Sequence, residues 1–78
     1  SSLRKRVAKA LADIHAKYNN EGEDNPIEIS REDIAHYIGT ATESLIRTLS
    51  DFKSEKLIAI KNGKISIINL DRLGKLAY

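Results

Sequence analysis

Apolar residues at spacings of three and four positions mark the first element of the chain. This spacing returns the apolar side chains to one face of a helix and leaves the charged positions between them in solvent. The pattern therefore predicts a helix from Ser2 to about Asn19. Its apolar stripe consists of Leu3, Val7, Leu11, Ile14 and Tyr18.

The segment that follows is rich in breakers and acidic residues, and it predicts a loop over Asn19–Pro26. Glu21, Glu23 and Asp24 are interpreted as solvated loop residues, with a weak cation site as the alternative. After the loop, Ile27-Glu28-Ile29 alternates apolar and polar side chains, which predicts a brief strand.

Ser30 marks the start of a second helix, because its hydroxyl can accept a hydrogen bond from the backbone N–H of Asp33. Gly39 ends this helix, since glycine adopts a left-handed backbone at little cost. The residues that face the core from it are Ile34, Ala35 and Ile38.

A third helix begins at Thr40 or Thr42 and covers about residues 41–55. Thr40 and Glu43 have the spacing of a capping box, in which two side chains satisfy the first backbone N–H groups reciprocally. The apolar stripe of this helix consists of Leu45, Leu49 and Phe52.

The rest of the chain changes from a helical to a strand period. Leu57–Ile60 and Ile65–Ile68 flank Lys61-Asn62-Gly63-Lys64, and Asn-Gly between two β-prone runs predicts a hairpin with a type I′ turn. Asp71 is the predicted cap of a short final helix that carries Leu73 and Leu76. The order predicts an α+β fold, a small winged helix-turn-helix with three main helices, a C-terminal β-hairpin wing and a short final helix.

The segment Arg31–Leu49 contains the two short helices joined by a glycine turn, an arrangement whose second helix can enter the DNA major groove. Arg47 can present two donors to guanine, Glu43 can accept from the amino group of cytosine, and Ile46 can contact a thymine methyl. The predicted base-reading residues are Thr42, Glu43, Ile46 and Arg47.

Contacts to phosphate fix the register of a protein on DNA but carry no sequence information. Hydroxyl and cationic side chains near the turn and at the hairpin tip are predicted to make them. The predicted phosphate-binding residues are Ser30, Arg31, Thr40, Ser44, Lys61, Asn62 and Lys64.

Two other interpretations compete with this one. Glu43 and Arg47 have the spacing of an ordinary ion pair on a helix surface, which is also compatible with base reading. A winged-helix module that binds protein through the same surface is the alternative function, favoured by Glu43 and by the mild net charge of +2. No glycine-rich phosphate loop, cysteine nucleophile or pair of carboxylates with a histidine indicates an enzyme, so we expect none.

Composition narrows the picture further. The 78 residues suffice for one domain, 1–78, and the absence of cysteine excludes disulfides and thiolate zinc ligands. His15 and His36 are far apart, so we expect no metal and no cofactor in this domain. No apolar run reaches membrane-spanning length, and we expect a cytoplasmic protein without a membrane partner. Because methionine is absent even at the first position, we expect a fragment or a processed product.

The central segment resembles the C-terminal DNA-binding domain of the Crp/Fnr family of bacterial transcription regulators: IEISREDIAHYIGTATESLIRTLSDFKSEKLI. The resemblance extends from Arg6-Val7-Ala8 through the hairpin. Glu43 and Arg47 match the family's Glu-x-x-x-Arg recognition helix, which implies that they read a TGA-like core of each half-site.

The resemblance also implies what surrounds such a domain. In the family it follows an N-terminal β-roll sensor and a long dimerisation helix, and dimers read inverted repeats near promoters. This implies double-stranded DNA as the partner, a homodimer in the full-length protein, and RNA polymerase as a further candidate partner. An effector such as a cyclic nucleotide would bind the sensor domain, which is absent from this chain.

The sequence departs from the family pattern at three positions. Thr42 stands where cyclic-AMP-responsive members carry a base-reading arginine, which indicates a different half-site. Lys56 replaces a small residue, often glycine, so we expect a looser helix end there. Thr48 takes a place more often filled by isoleucine or valine, which weakens one core contact.

Overall fold

Four helices and one antiparallel hairpin make up the part of the chain that the computed structural model describes, residues 2–19 and 25–78. The predicted α+β winged helix-turn-helix is confirmed. The elements in chain order are α1 (Leu3–Tyr18), α2 (Arg31–Ile38), α3 (Thr42–Ser54), β1 (Ile58–Lys61), β2 (Lys64–Ile67) and α4 (Leu70–Ala77). The predicted acidic loop, with Glu21, Glu23 and Asp24, lies outside the described residues.

The first and last helices pack against each other. The Ser2 hydroxyl caps α1 by accepting from the backbone N–H of Lys5 at 3.1 Å. The predicted cap of α4 is wrong: Asn69 caps it, accepting from the N–H of Arg72 at 3.0 Å. Because α4 begins at Leu70, directly after this cap, Asp71 falls inside the first turn, where it pairs with Lys75 at 3.2 Å.

The start and end of α2 follow the prediction. The Ser30 hydroxyl accepts from the N–H of Asp33 at 3.1 Å. Gly39 has a left-handed backbone with φ of 85°. The N–H groups of Gly39 and Thr40 both donate to the Ala35 carbonyl, at 2.8 and 3.0 Å. This double contact satisfies a carbonyl that the end of the helix would otherwise leave unpaired.

The predicted Thr40–Glu43 capping box is wrong. Helix α3 begins at Thr42, and its N-cap is Ala41, which makes no side-chain hydrogen bond. Thr40 is still part of the turn, because its N–H completes the end of α2. Its hydroxyl therefore lies one residue too early to serve as the N-cap.

The core runs through α3 as predicted. Leu45, Leu49 and Phe52 are buried against α1, α2 and the hairpin. Thr48 is buried as well, at 7% exposure, and its hydroxyl donates to the Ser44 carbonyl at 3.1 Å. The polar atom that replaces an aliphatic carbon is thus satisfied locally.

The end of α3 is regular rather than loosened, contrary to the expectation at Lys56. The N–H of Lys56 donates to the Lys53 carbonyl and that of Leu57 to the Phe52 carbonyl, each at 3.0 Å. This is the hydrogen-bond pattern of a Schellman motif. Lys56 itself adopts φ of 61°, so the departure from glycine strains its backbone and leaves the cap intact.

The hairpin has the predicted turn. Asn62 and Gly63 have φ of 52° and 77°, the two positive values that a type I′ turn requires. Lys61 pairs with Lys64 beside the turn, and Ile60 pairs with Ile65. The strands are shorter than predicted and exclude Leu57 and Ile68. The Leu57 carbonyl accepts from Ile68 at 2.8 Å and from Asn69 at 3.1 Å as the chain leaves the sheet.

The predicted strand over residues 27–29 is reduced to a single bridge. Ile27 pairs antiparallel with Ile65, exchanging N–H···O bonds of 2.7 and 3.0 Å. The pairing extends no further, and on the C-terminal side Ser30 begins the cap of α2. Ile27 is fully buried, so the bridge fastens the edge of the wing to the core.

Across the described residues, no helix is long and apolar enough to cross a membrane. In the same part of the chain, no three histidine or acidic side chains lie close enough to hold a metal ion.

Candidate nucleic-acid interface

The solvent-facing side of the first two turns of α3 carries the predicted base-reading residues. Glu43, Ile46 and Arg47 are exposed, and Thr42 is half-buried. Ile46 is 50% exposed, although an isoleucine in a helix of this core would normally be buried. The structure thus brings these four side chains together on one surface, opposite the buried stripe that begins at Leu45.

Glu43 and Arg47 do not form the helix-surface ion pair considered as an alternative. Within residues 2–19 and 25–78, neither side chain has an ion pair or a hydrogen bond with another group. The chemistry of both groups is therefore available to a ligand without first breaking an internal contact.

Four of the predicted phosphate-binding residues meet in an open cleft between the hairpin turn and the start of α2. The cleft is lined by Glu28, Ile29, Ser30, Arg31, Asn62, Gly63 and Lys64. Ser30 is exposed even though its oxygen caps α2, and Arg31 is half-buried beside it. Hydroxyl, guanidinium and amide groups from two separated segments thus face a common space.

The other three predicted phosphate-binding residues lie outside this cleft. Thr40 and Ser44 are half-buried at the helix-turn-helix and on the first turn of α3. Lys61 is exposed on the β1 side of the hairpin turn, across from Lys64. The structure therefore places four of the predicted residues in the wing cleft, two beside the start of α3, and Lys61 on the other strand of the hairpin.

The two lysines of the hairpin differ in their surroundings. The ammonium of Lys64 lies 3.0 Å from a carboxylate oxygen of Glu28, whereas Lys61 has no ion pair in the described part of the chain. The sequence analysis missed Glu28 as part of this surface. The pairing of Ile27 with Ile65, which the sequence did not predict, makes Glu28 and Lys64 the next opposed pair.

Two arginines that the sequence did not single out hold the C-terminal end of α3. The two terminal guanidinium nitrogens of Arg4 donate to the carboxylate of Glu55 at 2.8 and 2.9 Å. The guanidinium carbon lies 5.1 Å from the centre of the Phe52 ring. Arg72 donates to the Glu55 carbonyl at 3.2 Å. The hydrogen bond from Arg4 lowers the pKa of the Glu55 carboxyl below its usual value.

These features define a winged helix-turn-helix domain of the nucleic-acid-binding kind. A helix held at its C-terminal end presents exposed polar and apolar side chains at its other end, and the charged ones among them have no partner in residues 2–19 and 25–78. A basic hairpin and the start of α2 lie beside it.

The chain belongs to the family of Crp-like helix-turn-helix domains, whose pattern matches residues 5–76. Helix-turn-helix domains of this family are DNA-binding parts of transcription regulators. The match confirms the resemblance to the Crp/Fnr family that the sequence indicated.

Individual relatives agree with this assignment. The chain is 38% identical over 52 residues to the nitrogen fixation regulation protein FixK of Bradyrhizobium diazoefficiens, an overlap of 67% of this chain and 22% of FixK. A Crp/Fnr-family transcriptional regulator from Eubacterium rectale superposes with a TM-score of 0.83 at 32% identity, covering 99% of this chain and 34% of that one.

A Crp/Fnr-family regulator from Thermus thermophilus has the same fold, with a TM-score of 0.85 at 23% identity over 99% of this chain and 41% of its own. This chain thus spans about a fifth of FixK and about a third of the Eubacterium rectale protein.

Proposed function

We propose that this chain binds DNA sequence-specifically as the C-terminal domain of a Crp/Fnr-like bacterial transcription regulator. In the proposed complex α3 lies in the major groove and reads one half-site of an inverted repeat. The observation that carries this proposal is the exposed group of Glu43, Ile46 and Arg47 at the start of α3. Neither Glu43 nor Arg47 forms an ion pair in the described part of the chain.

Each base-reading residue has a distinct proposed role. Arg47 donates two parallel hydrogen bonds to O6 and N7 of guanine, and Glu43 accepts from N4 of cytosine. A carboxylate near phosphates weakens binding to every sequence, so Glu43 is useful only where its acceptor finds a matching donor. Ile46 contacts a thymine methyl, and Thr42 supplies a hydroxyl where related regulators have arginine.

The proposed phosphate contacts surround this helix on two sides. Ser30, Arg31 and Asn62 face the phosphates that pass the wing cleft, and Lys61 carries the cationic contribution of the hairpin. Lys64 contacts phosphate only where its ion pair with Glu28 opens. Thr40 and Ser44 reach the backbone beside the turn. Such contacts supply most of the affinity and its salt dependence but little specificity.

We further propose the setting of the parent protein. It is a cytoplasmic homodimer in which an N-terminal sensor domain binds an effector, a cyclic nucleotide being one candidate, and in which RNA polymerase is a candidate partner. This domain itself would bind neither a cofactor nor a metal, and we assign it no catalytic residue.

The deciding experiment compares Arg47→Ala with a matched control, Lys53→Ala, across a library of duplexes that vary one base pair at a time. Lys53 is an exposed cation of the same helix, six positions further on and on another face. Arg47→Ala should lose about 1–3 kcal/mol of discrimination at one base pair, whereas Lys53→Ala should change all affinities alike.

Two results would contradict the proposal. If Arg47→Ala weakened binding to every duplex equally, its base-reading role would be wrong. If the wild-type chain showed no salt-dependent binding to any duplex, the alternative would be favoured, namely a winged-helix module that binds protein. The observation in favour of that alternative is Glu43, an anion on the exposed surface that has no ion pair among the described residues.

A further inference from the structure

The geometry around the wing singles out Glu28, which no part of the proposed function uses. Ile27 and Ile65 exchange two backbone hydrogen bonds, of 2.7 and 3.0 Å, and this register places Glu28 directly opposite Lys64. The carboxylate lies 3.0 Å from the ammonium group, and both side chains remain about half exposed. The pair is therefore held by the backbone register as well as by attraction.

The position of this pair matters because of what surrounds it. Glu28 and Lys64 line the same cleft as Ser30, Arg31 and Asn62, which are proposed phosphate contacts. A phosphate that enters this cleft meets a carboxylate as well as the donors. Lys61, on the other strand of the same turn, has no such partner within the described residues, so the hairpin carries one neutralised and one available cation.

We propose that Glu28 restrains the sequence-independent affinity of the domain by neutralising Lys64. The effect concerns only the electrostatic, phosphate-directed part of binding, which is the same for every sequence. Weakening that part lowers the affinity for every duplex by the same factor and leaves base reading by α3 unchanged. This inference rests on the proposed function, since it presupposes that the wing faces DNA.

The test measures the affinity of the chain for an operator duplex and for a mixed-sequence duplex over a series of salt concentrations. Glu28→Gln keeps the size and polarity of the side chain and removes its charge. It should tighten binding to both duplexes about five- to tenfold near 0.1 M salt and steepen the logarithmic salt slope by about 0.9, as expected for one additional phosphate contact.

Two further variants separate masking from a simple change of charge. Glu28→Gln combined with Lys64→Gln should bind like the wild type with an unchanged salt slope, because a neutralised lysine makes no phosphate contact that could be lost. Lys61→Gln is the matched control and should reduce the slope by about 0.9. Thermal unfolding of each variant verifies that it is folded.

The possible results distinguish the two proposals. Glu28→Gln binding that is unchanged or weaker overturns this inference while DNA binding itself stands. The same conclusion follows if the double variant loses slope as Lys61→Gln does, because Lys64 would then contact phosphate despite Glu28. Absence of duplex binding by every variant, even at low salt, overturns both this inference and the proposed function.

Discussion

The two ends of α3 differ in how the rest of the domain holds them. At the C-terminal end Phe52 is fully buried, Glu55 binds Arg4 and Arg72, and a complete set of backbone hydrogen bonds closes the last turn. At the N-terminal end Ala41 caps the helix without a side-chain hydrogen bond. The first exposed side chains there have no ionic partner in the described chain.

This difference indicates that the C-terminal end of α3 contributes to stability and that its N-terminal end is available for recognition. A side chain that is to bind a ligand must exchange water for that ligand, and an internal ion pair would compete with the exchange. A helix fixed at one end can leave the groups at the other end unpaired without losing its orientation. We therefore expect substitutions at the two ends to separate into effects on folding and effects on binding.

The largest expected effect is at the fixed end. Phe52→Ala should lower the free energy of unfolding by about 3–5 kcal/mol, because it removes buried surface and leaves a cavity. Chemical denaturation measures this loss. Ile46→Ala, the contrasting change at the exposed end, should alter stability by about 0.5 kcal/mol or less. Comparable losses in both variants would contradict the division of the helix.

A smaller effect is expected from adding a side-chain cap at the N-terminus of α3. Ala41→Ser should raise the free energy of unfolding by about 1 kcal/mol, because a serine hydroxyl can accept one of the unsatisfied N–H groups of the first turn. Thr40→Ala is the control, and it should change stability by about 0.5 kcal/mol or less because Thr40 is not the N-cap. A cap-sized loss at Thr40 would place the helix start one residue earlier.

The smallest expected effect concerns pH. Arg4 lowers the pKa of Glu55 below its usual value of 4.5, so the folded state favours the ionised carboxyl. The resulting stabilisation is fully present above the unfolded pKa and disappears as the pH falls through the folded pKa. Stability measured from about pH 7 down to pH 2 should therefore fall less in Arg4→Gln than in the wild type.

A second ion pair titrates in the same range and provides the control for this measurement. Lys9 lowers the pKa of Asp13 by a hydrogen bond, and Tyr78 contributes another. Lys9→Gln should remove the part of the stability loss on acidification that is due to Asp13 and leave the part due to Glu55 unchanged. If Arg4→Gln lost stability on acidification as the wild type does, Glu55 would not be stabilised by Arg4.

The sequence predicted those parts of the fold that depend on neighbouring residues. The stripe in α1, the cap at Ser30, the left-handed Gly39 and the Asn62-Gly63 turn each arise from local chemistry within a few positions. The exposed group on α3 followed in the same way, because helical spacing decides which side chains oppose the buried ones. Its contacts with bases stay a prediction.

What the sequence could not predict depends on distance or on competition. Arg4 and Glu55 are 51 positions apart, and no periodicity relates them. Asn69 and Asp71 are both residue types that favour the N-cap position. Asn69 is the N-cap of α4 because the helix begins directly after it, at Leu70. Glu28 became part of the wing only through the pairing of Ile27 with Ile65, which joins segments that the pattern treated separately.

The turn at Lys56 is a short, fully hydrogen-bonded connection between α3 and the hairpin. Only residues 55–57 separate the two elements, and the backbone N–H of each donates to a carbonyl of α3. These hydrogen bonds consequently determine the angle between the helix and the wing in the absence of a ligand. A preorganised pair of surfaces loses little conformational freedom on association, so the short turn avoids an entropic cost that a flexible linker would incur on binding.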